Sequence, residues 1–382
     1  MTIEKPAVRP QNPRFSSGPC AKIPGWSAAD LTRALTGRSH RSAPGKARLK
    51  QAIALTREVL EVPPSHLIAI VPASDTGAVE LALWSLLGLR GVDLLAWESF
   101  GKGWVKDVVS ELKLPGTRVL EAPYSELPDL AAVDFSHDVV FTWNGTTSGV
   151  RVPDAAWIPA DRQGLTICDA TSAAFAQRLD FAGLDVVTFS WQKVLGGEAA
   201  HGMLVLSPRA VERLETYRPP WPLPKIFRLT KGGKLDRAIF EGETINTPSM
   251  LCVEDWILAL EWARSIGGLD ALIARADGNA ALLHDWADHS SWAAVLAASR
   301  EIRSNTSVCL AMRDPAKAAR ARDIAKLLEA EGVALDIASH RDAPPGLRIW
   351  CGATIERADI AALLPWLDYA YHSVTTEGGP SS

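Results

Sequence analysis

The sequence predicts an α/β protein with a mostly parallel seven-stranded sheet in a large domain, followed by a smaller C-terminal α/β domain. Up to about residue 206, seven short apolar runs are separated by turns and by stretches of helical periodicity. This alternation is typical of buried strands that helices cover on both faces. From about residue 255 the composition changes to long Ala- and Leu-rich helical stretches with two strand-like runs between them, which indicates a second, smaller unit.

The predicted strands of the larger sheet are five or six residues long and rich in Val, Ile and Leu. They are 67–72, 92–97, 117–121, 138–143, 165–169, 184–189 and 202–206. Apolar residues at helical spacing predict helices at 46–60, 76–88 and 103–113. In the C-terminal part, the pattern predicts helices at 255–267, 270–288, 315–332 and 357–370 and strands at 306–312 and 347–351.

These patterns divide the chain into four parts. We expect an N-terminal arm at 1–14, a large domain at 15–254, a small domain at 255–372 and a disordered tail at 373–382. The arm is polar and Pro-rich, so it either extends toward a second subunit or is a frayed end.

Composition excludes several classes of function. The 382 residues carry a net charge of −4, and the basic residues are scattered, which argues against nucleic acid and anionic membranes as partners. The five cysteines are far apart and lack C-x-x-C spacing, so we expect reduced thiols and no metal site. The N-terminal residues form no apolar segment typical of a signal peptide, and no run is long enough to span a membrane. We therefore expect a cytoplasmic protein.

Ligands of open α/β sheets bind at the carboxyl ends of the strands, and two reactive side chains are predicted there. Lys193, in the segment SWQKVLGGE, follows the strand 184–189, and Asp169 ends the strand 165–169. A buried lysine amine can condense with an aldehyde, and an acid can keep a pyridine nitrogen protonated. Each residue also has a simpler interpretation, as a surface lysine and as an aspartate that caps the next turn.

Three further features follow other strands. The run PASDTGA places Ser74, Asp75 and Thr76 at a predicted helix N-terminus, where backbone N–H groups favour a phosphate. Trp104 could stack on a flat ring, and Thr146 could donate a hydrogen bond to a phenolic oxygen. Taken one at a time, an ordinary helix cap, a core aromatic and a turn residue explain them as well.

The order of these features along one chain, and their local wording, resemble the phosphoserine aminotransferase family of fold-type I pyridoxal-5′-phosphate (PLP) enzymes. The resemblance extends from residue 15 to about 352. The segments that carry it are FSSGPC (15–20), SHR (39–41), TWNGTTSG (142–149), CDATSA (168–173), SWQKVLGG (190–197) and NTPSM (246–250). It implies the fold-type I transferase fold and PLP as cofactor.

The resemblance also implies roles for individual residues. Asp75 and Thr76 would form the phosphate-binding turn, Trp104 would stack on the cofactor ring, and Thr146 would donate to O3′. Asp169 would be the acid at the pyridine nitrogen, Gln192 a neighbouring contact, and Lys193 the Schiff-base lysine. Asn246 and Thr247 would reach the cofactor phosphate of the other subunit, so a homodimer is implied. His40, Arg41 and Arg348 would bind the anionic groups of the substrate.

The reaction expected from this resemblance is phosphoserine transamination. It interconverts 3-phosphohydroxypyruvate plus L-glutamate with O-phospho-L-serine plus 2-oxoglutarate by a ping-pong mechanism, in serine biosynthesis. A related activity on a phosphorylated hydroxythreonine would serve pyridoxine (PLP) biosynthesis. Two alternatives remain open: a serine–glyoxylate or alanine–glyoxylate aminotransferase of the same class, and an inactive binding module with the same fold. A dinucleotide-binding protein is disfavoured because no G-x-G-x-x-G follows the first strand.

Overall fold

A computed structural model describes residues 4–376 of the chain, and it contains two sheets of three or more strands together with short two-stranded ribbons. The strands in chain order are β1 (Leu67–Pro72), β2 (Val92–Ala96), β3 (Thr117–Glu121), β4 (Asp138–Thr142), β5 (Asn144–Gly145), β6 (Val150–Arg151), β7 (Thr166–Asp169), β8 (Val186–Ser190), β9 (His201–Leu206), β10 (Thr230–Lys231), β11 (Lys234–Leu235), β12 (Ala293–Val295), β13 (Ser307–Met312) and β14 (Gly346–Trp350).

The α-helices flank these strands. They are α1 (Ala43–Val59), α2 (Ser74–Leu86), α3 (Ser99–Lys106), α4 (Pro208–Thr216), α5 (Met250–Ser265), α6 (Gly268–His289), α7 (Ala321–Ala330) and α8 (Arg357–Thr376). The predicted helix at 103–113 begins earlier and continues from α3 into a π-helical turn at Asp107–Leu112. The predicted helix at 315–332 is split into a 3₁₀ segment, Pro315–Arg320, and α7.

The large sheet has seven strands in the order β1-β9-β8-β7-β4-β2-β3. All neighbouring pairs are parallel except those made by β9, which is antiparallel to both β1 and β8. The predicted mostly parallel seven-stranded sheet is therefore confirmed. The carboxyl ends of β4, β7 and β8 meet at one edge, together with the amino end of the reversed strand β9, and this edge positions the site.

Helices cover both faces of the large sheet, which explains why its strands are apolar along their whole length. Ile68 and Ile70 of β1 pack into one buried cluster, whereas the intervening Ala69 and Val71 pack into the cluster on the opposite face. Edge strand β3 is the exception, because most of its residues are exposed or half-buried. The two-faced burial is typical of parallel sheets between helix layers.

The second sheet, β12-β13-β14, is antiparallel and lies with α6, α7 and α8 in the C-terminal part of the chain. Its core is continuous with one face of the large sheet, since Val308 and Ile349 belong to the same buried cluster as Phe189. The change in composition at residue 255 falls inside the continuous helix α5, which packs on α1. The division into domains at 254/255 stays a prediction.

The two chain ends are more ordered than the predicted arm at 1–14 and the predicted disordered tail at 373–382, over the residues that the structure describes. The arm is not frayed over the described residues: the Leu335 amide donates to the Pro13 carbonyl at 2.8 Å, and the Trp366 indole donates to the Val8 carbonyl at 2.7 Å. It therefore packs on its own chain. Helix α8 extends to Thr376, so residues 373–376 of the predicted disordered tail are helical; 1–3 and 377–382 lie outside the described residues.

Candidate active site

A cavity of about 280 Å³ opens at the carboxyl edge of the large sheet. Its walls come from the ends of β4, β7 and β8, from α2 and α3, and from the segment that precedes α1. The lining residues predicted from the sequence are Ser74, Asp75, Thr76, Trp104, Thr146, Asp169, Gln192 and Lys193. Most of the predicted cofactor site thus lies in one place within a single chain.

Lys193 lies at the floor of this cavity. Its side chain is buried, and the ammonium group donates a hydrogen bond to the Ser17 carbonyl. Gly18 allows this approach, because a Cβ at that position would lie 2.5 Å from the lysine Nζ. The Phe100 ring lies 5.9 Å from Nζ on the other side. The lysine is therefore a buried group, and the surface-lysine interpretation is wrong.

The surroundings of Lys193 favour its neutral, nucleophilic form. Burial lowers the pKa of the amine, since a charged group loses hydration there. Cys20 would oppose this only as a thiolate, and burial raises the pKa of that thiol to about 12. The Arg348 guanidinium lowers the pKa of Lys193 further, whereas the carboxylates of Asp169 and Glu98 raise it. This environment is the one expected for a lysine that forms Schiff bases.

Asp169 points into the same cavity and is held by two donors. The Trp104 indole N–H donates to Oδ2 at 3.1 Å, and the Thr171 amide donates to Oδ1 at 3.0 Å. Both bonds fix the orientation of the carboxyl group. Trp104 is thereby fixed beside the acid, with its buried ring lining the cavity.

The N-terminus of α2 provides the anion-binding feature of the cavity. Ala73 and Ser74 have φ angles of +66° and +53°, and the helix begins at Ser74 without a side-chain cap. The first-turn amides, including that of the exposed Thr76, therefore have no acceptor within the helix. Gly77 is required here, because any Cβ would collide with the Pro72 carbonyl. Such an uncapped helix start suits a phosphate.

The Asp75 carboxyl group is buried rather than directed at solvent. Burial raises the pKa of this group well above its usual range, and the nearby Asp169 carboxylate raises it further. The raised pKa favours the neutral carboxylic acid, which lessens the repulsion between Asp75 and a bound phosphate. The arrangement agrees with the expectation that the backbone of this turn, not its side-chain charge, serves the anion.

Thr146 reaches the cavity through a hydrogen-bonded cluster that the sequence did not reveal. Its hydroxyl lies 2.8 Å from the Ser172 hydroxyl, which also accepts from the Asn144 amide at 2.8 Å. The Asn144 side chain also lines the cavity. In the sequence these residues appear as turn residues, and only the pairing of two loops makes them neighbours.

Phe100, which lines the cavity, and His340, which lies beside Phe100, were also missed. His340 lies with its Nδ1 3.2 Å from the Ser99 hydroxyl and its ring 6.1 Å from Phe100. Burial lowers the pKa of His340, and the Arg348 guanidinium lowers it further. The Nε of Arg348 is buried without a hydrogen-bond partner. The Arg348 guanidinium is thus a cationic group near Lys193, with the His340 imidazole beside it, in agreement with a site for an anionic substrate.

Five predicted residues do not line this cavity. Arg348 lies close enough to Lys193 to lower its pKa, whereas the remaining four lie elsewhere. His40 and Arg41 line a separate small cavity with Gly242, Glu243 and Thr244. Asn246 and Thr247 begin two residues after Thr244 and are both exposed. This region, which we name the 40/246 surface, consists of residues 39–46 and 242–249. Within one chain, the residues of the 40/246 surface do not line the cavity that contains Lys193.

The residues present fit PLP, as an observation on unsatisfied groups shows. Several side-chain oxygens that line the cavity are buried without a hydrogen-bond partner, namely Asp75 Oδ1, Thr142 Oγ1, Thr171 Oγ1, Ser190 Oγ and Gln192 Oε1. Buried polar atoms are rarely left unsatisfied without a functional reason. Together with the uncapped helix start, the Asp169 carboxyl group and the buried Lys193 amine, these oxygens suit the phosphate, the pyridine nitrogen and the aldehyde of PLP.

Comparison with known proteins gives the family. The chain is 60% identical over 370 residues to phosphoserine aminotransferase of Methanosarcina mazei, covering 97% of this chain and 100% of that protein. This chain belongs to the phosphoserine aminotransferase family. No family model matches the sequence.

The fold of the family is equally recognisable in solved structures. A phosphoserine aminotransferase from Cytophaga hutchinsonii superimposes with a TM-score of 0.80 at 21% identity, covering 94% of this chain and 99% of that one. A ureidoglycine–glyoxylate aminotransferase from Bacillus subtilis also gives 0.80, at 12% identity, with 99% and 97% covered. Fold alone therefore does not separate phosphoserine from glyoxylate aminotransferases.

Residues 4–376 contain neither a metal-binding cluster nor a membrane-spanning helix. No group of three or more His, Cys, Asp or Glu side chains is arranged to hold a metal ion there. In the same range, every helix is too short or too polar to cross a bilayer.

Proposed function

We propose that this chain is a PLP-dependent phosphoserine aminotransferase. The reaction converts 3-phosphohydroxypyruvate plus L-glutamate to O-phospho-L-serine plus 2-oxoglutarate, in serine biosynthesis. The observation that carries the proposal is the buried Lys193 amine, with its lowered pKa, facing Asp169 across a cavity that ends at an uncapped helix N-terminus. Membership of the family adds the substrate class.

Each side chain has a role that follows from its position. Lys193 would hold the cofactor covalently, and PLP supplies an electron sink for the carbanion formed at the substrate Cα. The freed Lys193 Nζ, whose pKa burial lowers, would accept the proton from that Cα and later return it. Asp169, whose carboxyl group is held by the Trp104 indole and the Thr171 amide, would pair with the ring nitrogen. The amides of Asp75 and Thr76 would bind the phosphate.

Water exclusion and substrate binding involve the mouth of the cavity. Phe100 and Trp104 provide apolar walls beside Lys193, which keep the proton transfer away from solvent. Arg348, with an unsatisfied guanidinium nitrogen, and the neighbouring His340 would receive an anionic group of the substrate. A phosphorylated amino acid carries two such groups, so a second cationic site is needed.

We propose that a second copy of the chain supplies the second cationic site. His40, Arg41, Asn246 and Thr247 all lie on the 40/246 surface, outside their own cavity. The Lys46–Glu243 ion pair, at 2.6 Å, ties the two segments of this surface together. In a homodimer, this surface would reach the partner's cavity, with His40 and Arg41 at the substrate and Asn246 and Thr247 at the phosphate. Sedimentation equilibrium should give twice the chain mass.

A cytoplasmic location is proposed too, and cell fractionation tests it.

The activity is tested by assaying purified, PLP-loaded protein with O-phosphoserine and 2-oxoglutarate. Parallel assays use L-serine and L-alanine with glyoxylate. We expect a strong preference for phosphoserine, because two cationic sites are matched by its two anionic groups. Turnover with the unphosphorylated donors alone would reject the substrate assignment and favour a glyoxylate aminotransferase, whose fold this chain shares. Inability to bind PLP would reject both and favour an inactive binding module.

A further inference from the structure

His201 is a buried histidine that makes a single directed contact with the 40/246 surface. Only 4% of its surface is exposed, and its Nε2 accepts a hydrogen bond from the Ser249 amide at 3.0 Å. An imidazole nitrogen that accepts a backbone N–H is unprotonated. Burial lowers the pKa of His201 to about 4, so this acceptor is present throughout the neutral range.

The imidazole of His201 is held rigidly on its own side. Its backbone begins β9, pairing with Pro72 at the end of β1. Its ring contacts the edge of Trp191 at a centroid distance of 5.0 Å, and Trp191 stacks on Trp256 at 5.6 Å with the planes 9° apart. The side chain is therefore a fixed point in the core, next to the segment that carries Lys193.

The partner of this contact is the end of an exposed segment. Ser249 caps α5, with its hydroxyl accepting from the Cys252 amide at 3.3 Å. At the other end, the Thr244 hydroxyl donates to the Asn246 carbonyl at 2.6 Å. Asn246 and Thr247 lie between these two contacts with exposed side chains. The hydrogen bond to His201 thus ties the C-terminal end of the segment to the start of β9.

We propose that His201 is a positioning residue that holds Asn246 and Thr247 in the conformation that binds the cofactor phosphate of the other subunit. The proposal rests on the shared site of the proposed function. It predicts that a change at His201 acts in trans, on the partner's cavity, although the residue lies in the core close to its own Lys193. If His201 had only a structural role, its substitution would affect the cavity of its own chain, or both cavities equally.

The test uses mixed dimers in which one chain carries Lys193→Ala, so that visible absorbance of lysine-bound cofactor reports one cavity only. His201→Phe keeps an aromatic ring against Trp191 but cannot accept a hydrogen bond; His201→Gln keeps an acceptor. Placed on the Lys193→Ala chain, His201→Phe should weaken PLP binding at the intact Lys193 by roughly tenfold, since the Ser249 amide loses its acceptor. His201→Gln in the same place should restore most of the affinity.

Three outcomes would overturn the proposal. These are an effect of His201→Phe only when it shares a chain with the intact Lys193, no effect in either arrangement, or an equal loss with His201→Gln. Asn246→Ala in the same two arrangements tests the shared site itself. If Asn246→Ala weakens PLP binding only in cis, or if the chains do not associate, the proposed dimer fails irrespective of His201. If it acts in trans and His201→Phe does not, only the inference about His201 fails.

Discussion

The Lys193 cavity and the 40/246 surface were both predicted as parts of one site, yet one chain assembles only the first. The cavity residues come from strand ends and from helices that begin directly after strands, so the sheet brings them together. The residues of the 40/246 surface come from the segment that leads into α1 and from the segment before α5. Sheet topology thus determines where the cavity residues lie, whereas His40 and Arg41 would act on the substrate only in the proposed dimer.

The strongest test of the cavity is removal of its lysine. Lys193→Ala should lower kcat by roughly 10⁴-fold or more, because covalent anchor and proton acceptor are lost together. Lys193→Arg is the matched control, since it keeps a positive charge without a nucleophilic amine and should be equally inactive. Steady-state kinetics measure kcat, and thermal unfolding checks that both variants fold. Substantial turnover by either would reject Lys193 as the catalytic base.

The two neighbouring carboxyl groups of the cavity should respond very differently to loss of charge. Asp169→Asn should lower kcat by roughly 10²- to 10³-fold, because the ring nitrogen loses its ionised partner. Asp75→Asn should cost only about threefold, since burial and Asp169 raise the pKa of Asp75 and so favour its neutral form. Both variants are isosteric, and kcat at saturating PLP compares them. Equal losses would mean that Asp75 is ionised in the working enzyme.

Prediction from sequence was accurate where local pattern and tertiary position coincide. All seven strands of the large sheet lie within two residues of their predicted bounds, and Asp169 and Ser190 end strands at the cavity. Helix α4 and strand β12 were missed. Helix α4 is short, and its start signal, Ser207 followed by Pro208, was overlooked; three residues of β12 are too few to show a period.

The missed cavity residues have a different cause. Phe100 looks in the sequence like any apolar residue of a helix, and nothing local indicates that its ring lies over Lys193. His340 is 147 positions after Lys193 and reaches the cavity mouth from a loop before β14. Only the packing of the small sheet against the large one places it there. A residue pattern contains no information about such contacts when the loop itself has no regular structure.

Mixed dimers can also test whether the Lys193 cavity and the 40/246 surface that bind one substrate molecule belong to different chains. Arg348→Ala should raise KM for O-phosphoserine by roughly 30-fold when it shares a chain with the intact Lys193, since a charge-assisted contact to an anion is lost. Arg41→Ala should raise KM by a similar factor only when it is placed on the other chain of the dimer, the chain that carries Lys193→Ala. Initial-rate kinetics on both arrangements measure KM. An Arg41 effect in cis would place the 40/246 surface at its own cavity and remove the need for a partner.

The smallest expected effect concerns the charge balance around Lys193. Arg348→Ala removes a positive neighbour and should raise the pKa of the amine, whereas Glu98→Gln removes a negative one and should lower it. Because only the neutral amine reacts with the cofactor aldehyde, the pH profile for the rate of PLP uptake by the apoprotein should move to higher pH in the first variant and to lower pH in the second. Glu98 also accepts from the Gly101 amide at 2.7 Å, at the start of α3.

Stopped-flow absorbance between neutral and alkaline pH measures both shifts. The Glu98→Gln variant keeps a side-chain oxygen that can accept from the Gly101 amide. Shifts in the same direction would mean that the variants act by moving α3 and its ring, Trp104, rather than by charge. Opposite shifts would show that Lys193 responds to the electrostatics of its own chain before any second subunit contributes. The chemistry of the cavity would then be complete in one chain, and the 40/246 surface would add only phosphate and substrate binding.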